Sequence, residues 1–212
     1  MRKTIIFDFD GTLADTLNTG VALYNSIAHE YECLPVPLSK VDELRDRRPQ
    51  EFLQDYGVTF FKLPKILLRM REELNSKMRT IKAIPHIIEE LIKIKSDKYS
   101  LGILTSNSHD NVKSFLQRNE VDKLFDFIFS EKHLFGKHKA INRLLKKNNL
   151  IKDDVIYVAD ETRDIEAAHK SGIKIISVAW GFNTKEALAR SKPDALINEP
   201  NELLLAIEKA AA

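Results

Sequence analysis

Five short apolar runs rich in β-branched and aromatic residues mark the chain, at Thr4 to Phe7, Tyr99 to Leu104, Phe125 to Phe129, Val155 to Val158 and Ile175 to Val178. Helical spacing fills most of the gaps between them. Ile87, Ile88, Leu91, Ile92 and Ile94 precede the second run, Val112, Phe115 and Leu116 follow it, and Ile141, Leu144 and Leu145 precede the fourth. Strands alternating with helices predict βαβ units, hence an α/β fold whose parallel sheet is covered on both faces.

One stretch breaks this rhythm. From about Asp15 to Arg79 the pattern carries helix signals and no strand. Leu17, Val21, Tyr24, Ala28 and Tyr31 form one apolar stripe. A short helix is expected at Glu51 to Tyr56, after Pro49 and ended by Gly57, and Leu67, Met70, Leu74 and Met78 form a second stripe after Pro64. Lying between the first and second strands, these residues predict a helical insert seated over the carboxyl edge of the sheet.

Composition narrows the function classes. With 212 residues and 43% hydrophobic content, the chain is long enough to bury a substantial core. Lys and Arg total 33 against 31 Asp and Glu, and a net charge of +2 gives no global electrostatic reason to expect nucleic acid or an anionic membrane as partner. The basic, apolar start Met1 to Phe7 is cut short by Asp8 and Asp10, too early for an export signal. No uncharged apolar run approaches the roughly 20 residues that span a bilayer. Cys33 is the single cysteine, which excludes an internal disulfide and a Cys-rich zinc site and suits a reducing, cytoplasmic setting.

Chemistry concentrates where strands are expected to end. The first strand runs into Asp8 and Asp10, which a continuing strand would place on one side. Like charges that close are costly unless a cation neutralises them or one keeps its proton. Gly11 permits a sharp turn, and Thr12 adds a hydroxyl. The fourth strand ends in Ala159-Asp160-Glu161-Thr162-Arg163-Asp164, and oxygen ligands without nearby His or Cys favour a hard cation such as Mg2+. The second strand ends in Thr105-Ser106-Asn107-Ser108, hydroxyls and an amide leading into a helix start where phosphate binds readily. Each cluster alone would serve as a turn or helix cap. Three of them at ligand-binding strand ends are better explained by one shared site.

These residues resemble the haloacid dehalogenase superfamily of phosphatases, in particular its phosphoglycolate-phosphatase-like branch with a helical cap. The family's first motif reads here as Asp8-Phe9-Asp10-Gly11-Thr12-Leu13-Ala14-Asp15-Thr16, its second falls on Thr105, and its fourth is Ala159-Asp160-Glu161-Thr162-Arg163-Asp164, with Ala in place of the usual Gly. The third, a Lys, has two candidates in Gly136-Lys137-His138-Lys139. Leu144 and Leu145, seven and eight residues on, favour Lys137, with Lys139 in reserve. The resemblance implies a Rossmann-like core at residues 1–14 and 80–212 and a cap at 15–79. It further implies Asp8 as nucleophile, Asp10 as general acid and base, and Mg2+ held by Asp8, the Asp10 backbone and Asp160 with Asp164 in support. Thr105 and Lys137 would bind phosphoryl oxygens, aided by Gly11, Thr12, Ser106 and Asn107. Its expected partner is a small phosphorylated metabolite. A phosphomutase keeps the same core residues, and an idle binding or regulatory protein on this fold is the alternative of another class. In the cap, Arg45, Arg47 and Arg48 are placed either to read a distal anionic group, Arg48 above all, or to form a solvated helix end. Lys62, Lys65, Arg69 and Arg71 read as surface.

Overall fold

The computed structural model describes residues 2–47, 54–96, 99–131 and 136–211. Six strands, β1 (Thr4–Phe7), β2 (Ser100–Thr105), β3 (Phe127–Ser130), β4 (Val155–Ala159), β5 (Lys174–Val178) and β6 (Ala195–Ile197), form one sheet in the order β3-β2-β1-β4-β5-β6, every neighbouring pair parallel. The sixth strand was not anticipated. Its Ala-Leu-Ile is too short to register as an apolar run, and pairing with β5 decides its conformation.

The helices among the described residues are α1 (Leu17–Ile27), α2 (Val41–Asp46), α3 (Leu63–Lys77), α4 (Ile87–Ser96), α5 (His109–Arg118), α6 (Lys137–Lys147), α7 (Thr162–Ser171), α8 (Lys185–Arg190) and α9 (Leu203–Ala211). Period-2 alternation along the strands sorts side chains into two cores. Ile5, Phe7, Ile156 and Val158 join α4, α5 and α9 on one face. Ile6, Val155, Tyr157 and Ala159 join α6, α7 and α8 on the other. Burial on both faces explains why these strands read as continuous apolar runs rather than alternating ones.

Between β1 and β2, the helices α1 to α3 enclose an apolar cluster of their own, built on Val21, Tyr24, Ile27, Val36, Val58 and Ile66. The chain leaves and re-enters the sheet side by side: the Asp15 amide donates to the Lys82 carbonyl at 2.9 Å and the Ile84 amide to the Leu13 carbonyl at 3.0 Å. Arg45 bridges insert and core, donating from Nε to the Gly181 carbonyl and from Nη2 to the Ala179 carbonyl. Of the short helix expected at Glu51 to Tyr56, positions 51–53 lie outside the described residues. Among the described residues no helix is long and apolar enough to cross a membrane.

Candidate active site

β1 is the strand at which the sheet order reverses, with β2 on one side and β4 on the other, and such a switch point is where open α/β sheets bind ligands. Asp8 follows directly on β1. Its amide donates to the Val158 carbonyl at 2.9 Å, and its Oδ1 accepts from the Phe9 amide at 2.8 Å. The chain then folds tightly, the Leu13 and Ala14 amides both donating to the Phe9 carbonyl, while the Phe9 ring packs edge-on to Phe115 with centroids 5.0 Å apart. Asp10 turns its carboxylate toward the Asn107 amide, 3.3 Å away.

Asp160, fully buried after β4, has both oxygens held: Oδ1 accepts from the Thr12 hydroxyl and Oδ2 from the Phe182 amide, each at 2.7 Å. Two glycines make room for it. A Cβ on Gly11, whose φ is 78°, would stand 2.2 Å from Asp160 Oδ2, and one on Gly181 would stand 2.3 Å from Asp160 Cβ. Lys137 opens α6 and sends Nζ to within 2.6 Å of Asp8 Oδ2 and 2.5 Å of Asp164 Oδ1, with the Tyr157 ring centroid 5.4 Å away.

The electrostatics are those of crowded, desolvated acids. Burial, reinforced by the Asp8 charge and only partly opposed by the Asn107 amide, raises Asp10 to about 7. Asp160 is held well above the usual carboxylate range by burial and the neighbouring Glu161 and Asp8. Burial also raises Asp164 against the pull of Lys137. Lys137 keeps its proton because Asp164 and Asp8 outweigh the opposing effect of burial.

Asp8, Asp160 and Asp164 each present an oxygen within 4.8 Å of the others, and Asp164 Oδ2 is buried without a hydrogen-bond donor. An all-oxygen cluster with one donorless oxygen fits a hard divalent cation such as Mg2+. The Asp10 carboxylate lies outside this cluster, and Asp164, expected only in support, contributes to it directly.

Thr105 and Ser106 line the small cavity over Asp8 together with Asp10 and Lys137, whereas Lys139 is exposed. Two expected phosphate donors are committed elsewhere. The Gly11 amide donates within the turn to the Ala14 carbonyl, and the Thr12 hydroxyl donates to Asp160 beyond the end of β4. Asn107 acts through Asp10 and caps the following turn, its Oδ1 accepting from the Ser108 amide. Arg48 lies outside the described residues. Arg45 is spent on core carbonyls, and Arg47 pairs with Asp55 at 2.7 Å. Of the residues read as surface, Lys65 is exposed and Arg69 pairs with Glu73 at 2.8 Å.

Sequence reasoning gave no role to Glu161, Arg163 or the segment Gly181 to Asn183. Glu161 is buried beside the site and bonded to Arg163 at 2.5 Å. Asn183 accepts from the Thr162 amide at the start of α7 and donates to the Arg45 carbonyl. The signal for Glu161 and Arg163 was their position between the two motif acids; the loop after β5, Val178 to Asn183, resembles the family's but was given no role.

The sequence profile of the haloacid dehalogenase-like hydrolases matches residues 5–178. A phosphoglycolate phosphatase of Synechococcus elongatus is 33% identical over 205 residues, 97% of each chain. The pyrophosphatase PpaX of Bacillus anthracis is 24% identical over 96% of this chain and 95% of its own. Among solved structures, a predicted phosphatase from Clostridium acetobutylicum superposes with a TM-score of 0.84 at 22% identity, covering 99% of both chains. The chain belongs to the haloacid dehalogenase-like hydrolase family.

Proposed function

We propose that the chain hydrolyses a small phosphate monoester in two displacements at Asp8. The observation that carries this reading is the convergence of Asp8, Asp10, Lys137 and the Asp160–Asp164 pair at the switch point of the sheet. Two relatives, a phosphoglycolate phosphatase and a pyrophosphatase, support phosphate ester or anhydride chemistry. Residues 15–79 serve as the cap over a core formed by 1–14 and 80–212.

Asp8 attacks phosphorus in line, and the bond to the substrate's alkoxide oxygen breaks as that oxygen takes a proton from Asp10. Asp10 then removes a proton from water, which attacks the aspartyl phosphate and restores Asp8. A group raised to about 7 divides its time between acid and base near neutrality, as the two half-reactions require. Thr105, Ser106 and Lys137 hold the phosphoryl oxygens, and Lys137 offsets the charge that builds on them. Asp8, Asp160 and Asp164, with the Asp10 backbone carbonyl, would hold Mg2+, which supplies charge neutralisation between carboxylate and phosphate.

The test is release of inorganic phosphate from an aryl phosphate with magnesium and with EDTA, together with acid-quench trapping of phosphate on the chain. Magnesium-dependent release with label trapped on Asp8 is expected. Full activity in EDTA would sink the metal assignment, and accumulation of an isomerised sugar phosphate without free phosphate would make the chain a mutase.

A further inference from the structure

A second and larger cavity, of about 290 Å³, lies between the helical insert and the sheet edge. It meets the cavity over Asp8 along Asp10, Ser106, Glu161 and Arg163, which line both. Asp10 is the residue that hands a proton to the departing oxygen, so the alcohol leaving phosphorus departs into this larger space.

Its wall is apolar. Val21, Leu23, Leu44, Leu67, Met70 and Leu74 contribute to it from the insert. The Tyr24 hydroxyl is turned to the Leu34 carbonyl at 2.8 Å, leaving the ring for the cavity. Polar side chains in the lining are largely engaged already: Asn183 with Thr162 and Arg45, Asn107 with Asp10, Ser108 and Asn111. Among the described lining residues the one cation is Arg163, and it is tied to Glu161 at 2.5 Å. Among the described lining residues, a carboxylate entering here would have to displace Glu161 from Arg163 or exchange its water for the neutral Thr16 and Ser106 hydroxyls alone, and both are costly.

Resting on the hydrolase reading above, we infer that the preferred substrate is a phosphate monoester of a predominantly apolar, ring-sized alcohol rather than of a small anionic one such as glycolate. An apolar cavity discriminates roughly tenfold or more for each well-placed group of a few carbons.

The experiment compares benzyl phosphate, methyl phosphate and 2-phosphoglycolate, all alkoxide leaving groups, by kcat/KM with magnesium and by calorimetric binding to the Asp8→Asn variant. Benzyl phosphate should exceed 2-phosphoglycolate by at least tenfold in both measurements. In Met70→Glu the ratio of kcat/KM for benzyl over methyl phosphate should fall at least tenfold. Equal or better use of 2-phosphoglycolate overturns the inference and leaves the hydrolase standing. If none of the three releases phosphate, the hydrolase reading fails, and binding to Asp8→Asn still decides the inference: tighter benzyl phosphate supports it, and equal or weaker binding overturns it.

Discussion

The two ends of the sheet use the same side chain in opposite ways. At the carboxyl end, Asp8, Asp160 and Asp164 crowd together out of water, and burial pushes Asp10, Asp160 and Asp164 upward. At the amino end, Asp126 stands beside the start of β2 and accepts from the Ser100 hydroxyl at 2.7 Å, the Leu101 amide at 3.0 Å and Lys95 at 2.9 Å. Burial raises Asp126 as well, but these three donors outweigh it and hold the carboxyl below its usual range. A carboxylate supplied with donors supports the fold. One buried beside others like it, where burial and neighbouring charge outweigh the donors it has, destabilises the metal-free chain and is available to a cation and a phosphate.

Removing charge at the two ends should therefore have different consequences, and the largest lie at the carboxyl end. Asp8→Asn should lower kcat by roughly 10⁴-fold or more while circular dichroism is unchanged. Retained turnover would place the nucleophile elsewhere. Lys137→Ala should cost roughly 10²–10³-fold in kcat, as loss of a charge-stabilising group does, and Lys139→Ala less than about twofold, as for an exposed surface residue. The reverse ranking would move the phosphate-binding role to Lys139.

Gly181→Ala tests how tightly the cradle around Asp160 is fitted. Its Cβ would fall 2.3 Å from Asp160 Cβ, so Asp160 must shift. Titration of activity with magnesium should then require roughly 10–100-fold more of the ion; an unchanged titration would mean that the ion does not depend on Asp160.

Stability separates the two ends most directly. With magnesium, Asp10→Asn should abolish turnover, and in EDTA the same variant should raise stability by about 1 kcal/mol at pH 8. The sign follows from the raised folded value: native Asp10 holds its proton longer than the unfolded chain does, so the wild type loses stability as pH rises from the ordinary carboxylate range to about 7, and Asn does not titrate. A urea midpoint that drops at every pH would refute the cost assigned to burying the Asp10 carboxylate beside Asp8. Asp126→Asn should do the opposite and on a smaller scale, lowering stability at pH 7 by about 0.5 kcal/mol because the group is partly exposed. Its folded value is depressed, so the difference from wild type should persist at neutral pH and close as pH falls through that value. A gap that widens in acid would reverse the assignment.

Much of this was legible in the chain itself. Continuous apolar runs marked five of the six strands because a sheet buried on both faces excludes polar residues from its strands. Asp8 and Asp10, two residues apart at the end of one such run, and Asp160 and Asp164 at the end of another announce an acidic site, because their neighbourhood is set by local chain geometry. β6 escaped because three residues carry too little pattern, and Gly11 and Thr12 were read as donors to a ligand although the turn takes the Gly11 amide and Asp160 takes the Thr12 hydroxyl.

What the tertiary structure alone decided are the meetings between distant segments. Lys137 reaches Asp8 across 129 positions of sequence; the spacing to Leu144 and Leu145 favours it over Lys139, and the start of α6 beside β1 brings it to the acid. Gly181 matters because β5 delivers it against Asp160, and the apolar cavity exists because α1 and α3 face the sheet edge across the loop that bears Asp10. Periodicity records which residues avoid water. Which of them face one another is set by how helices and strands pack, and that information is spread over the whole chain.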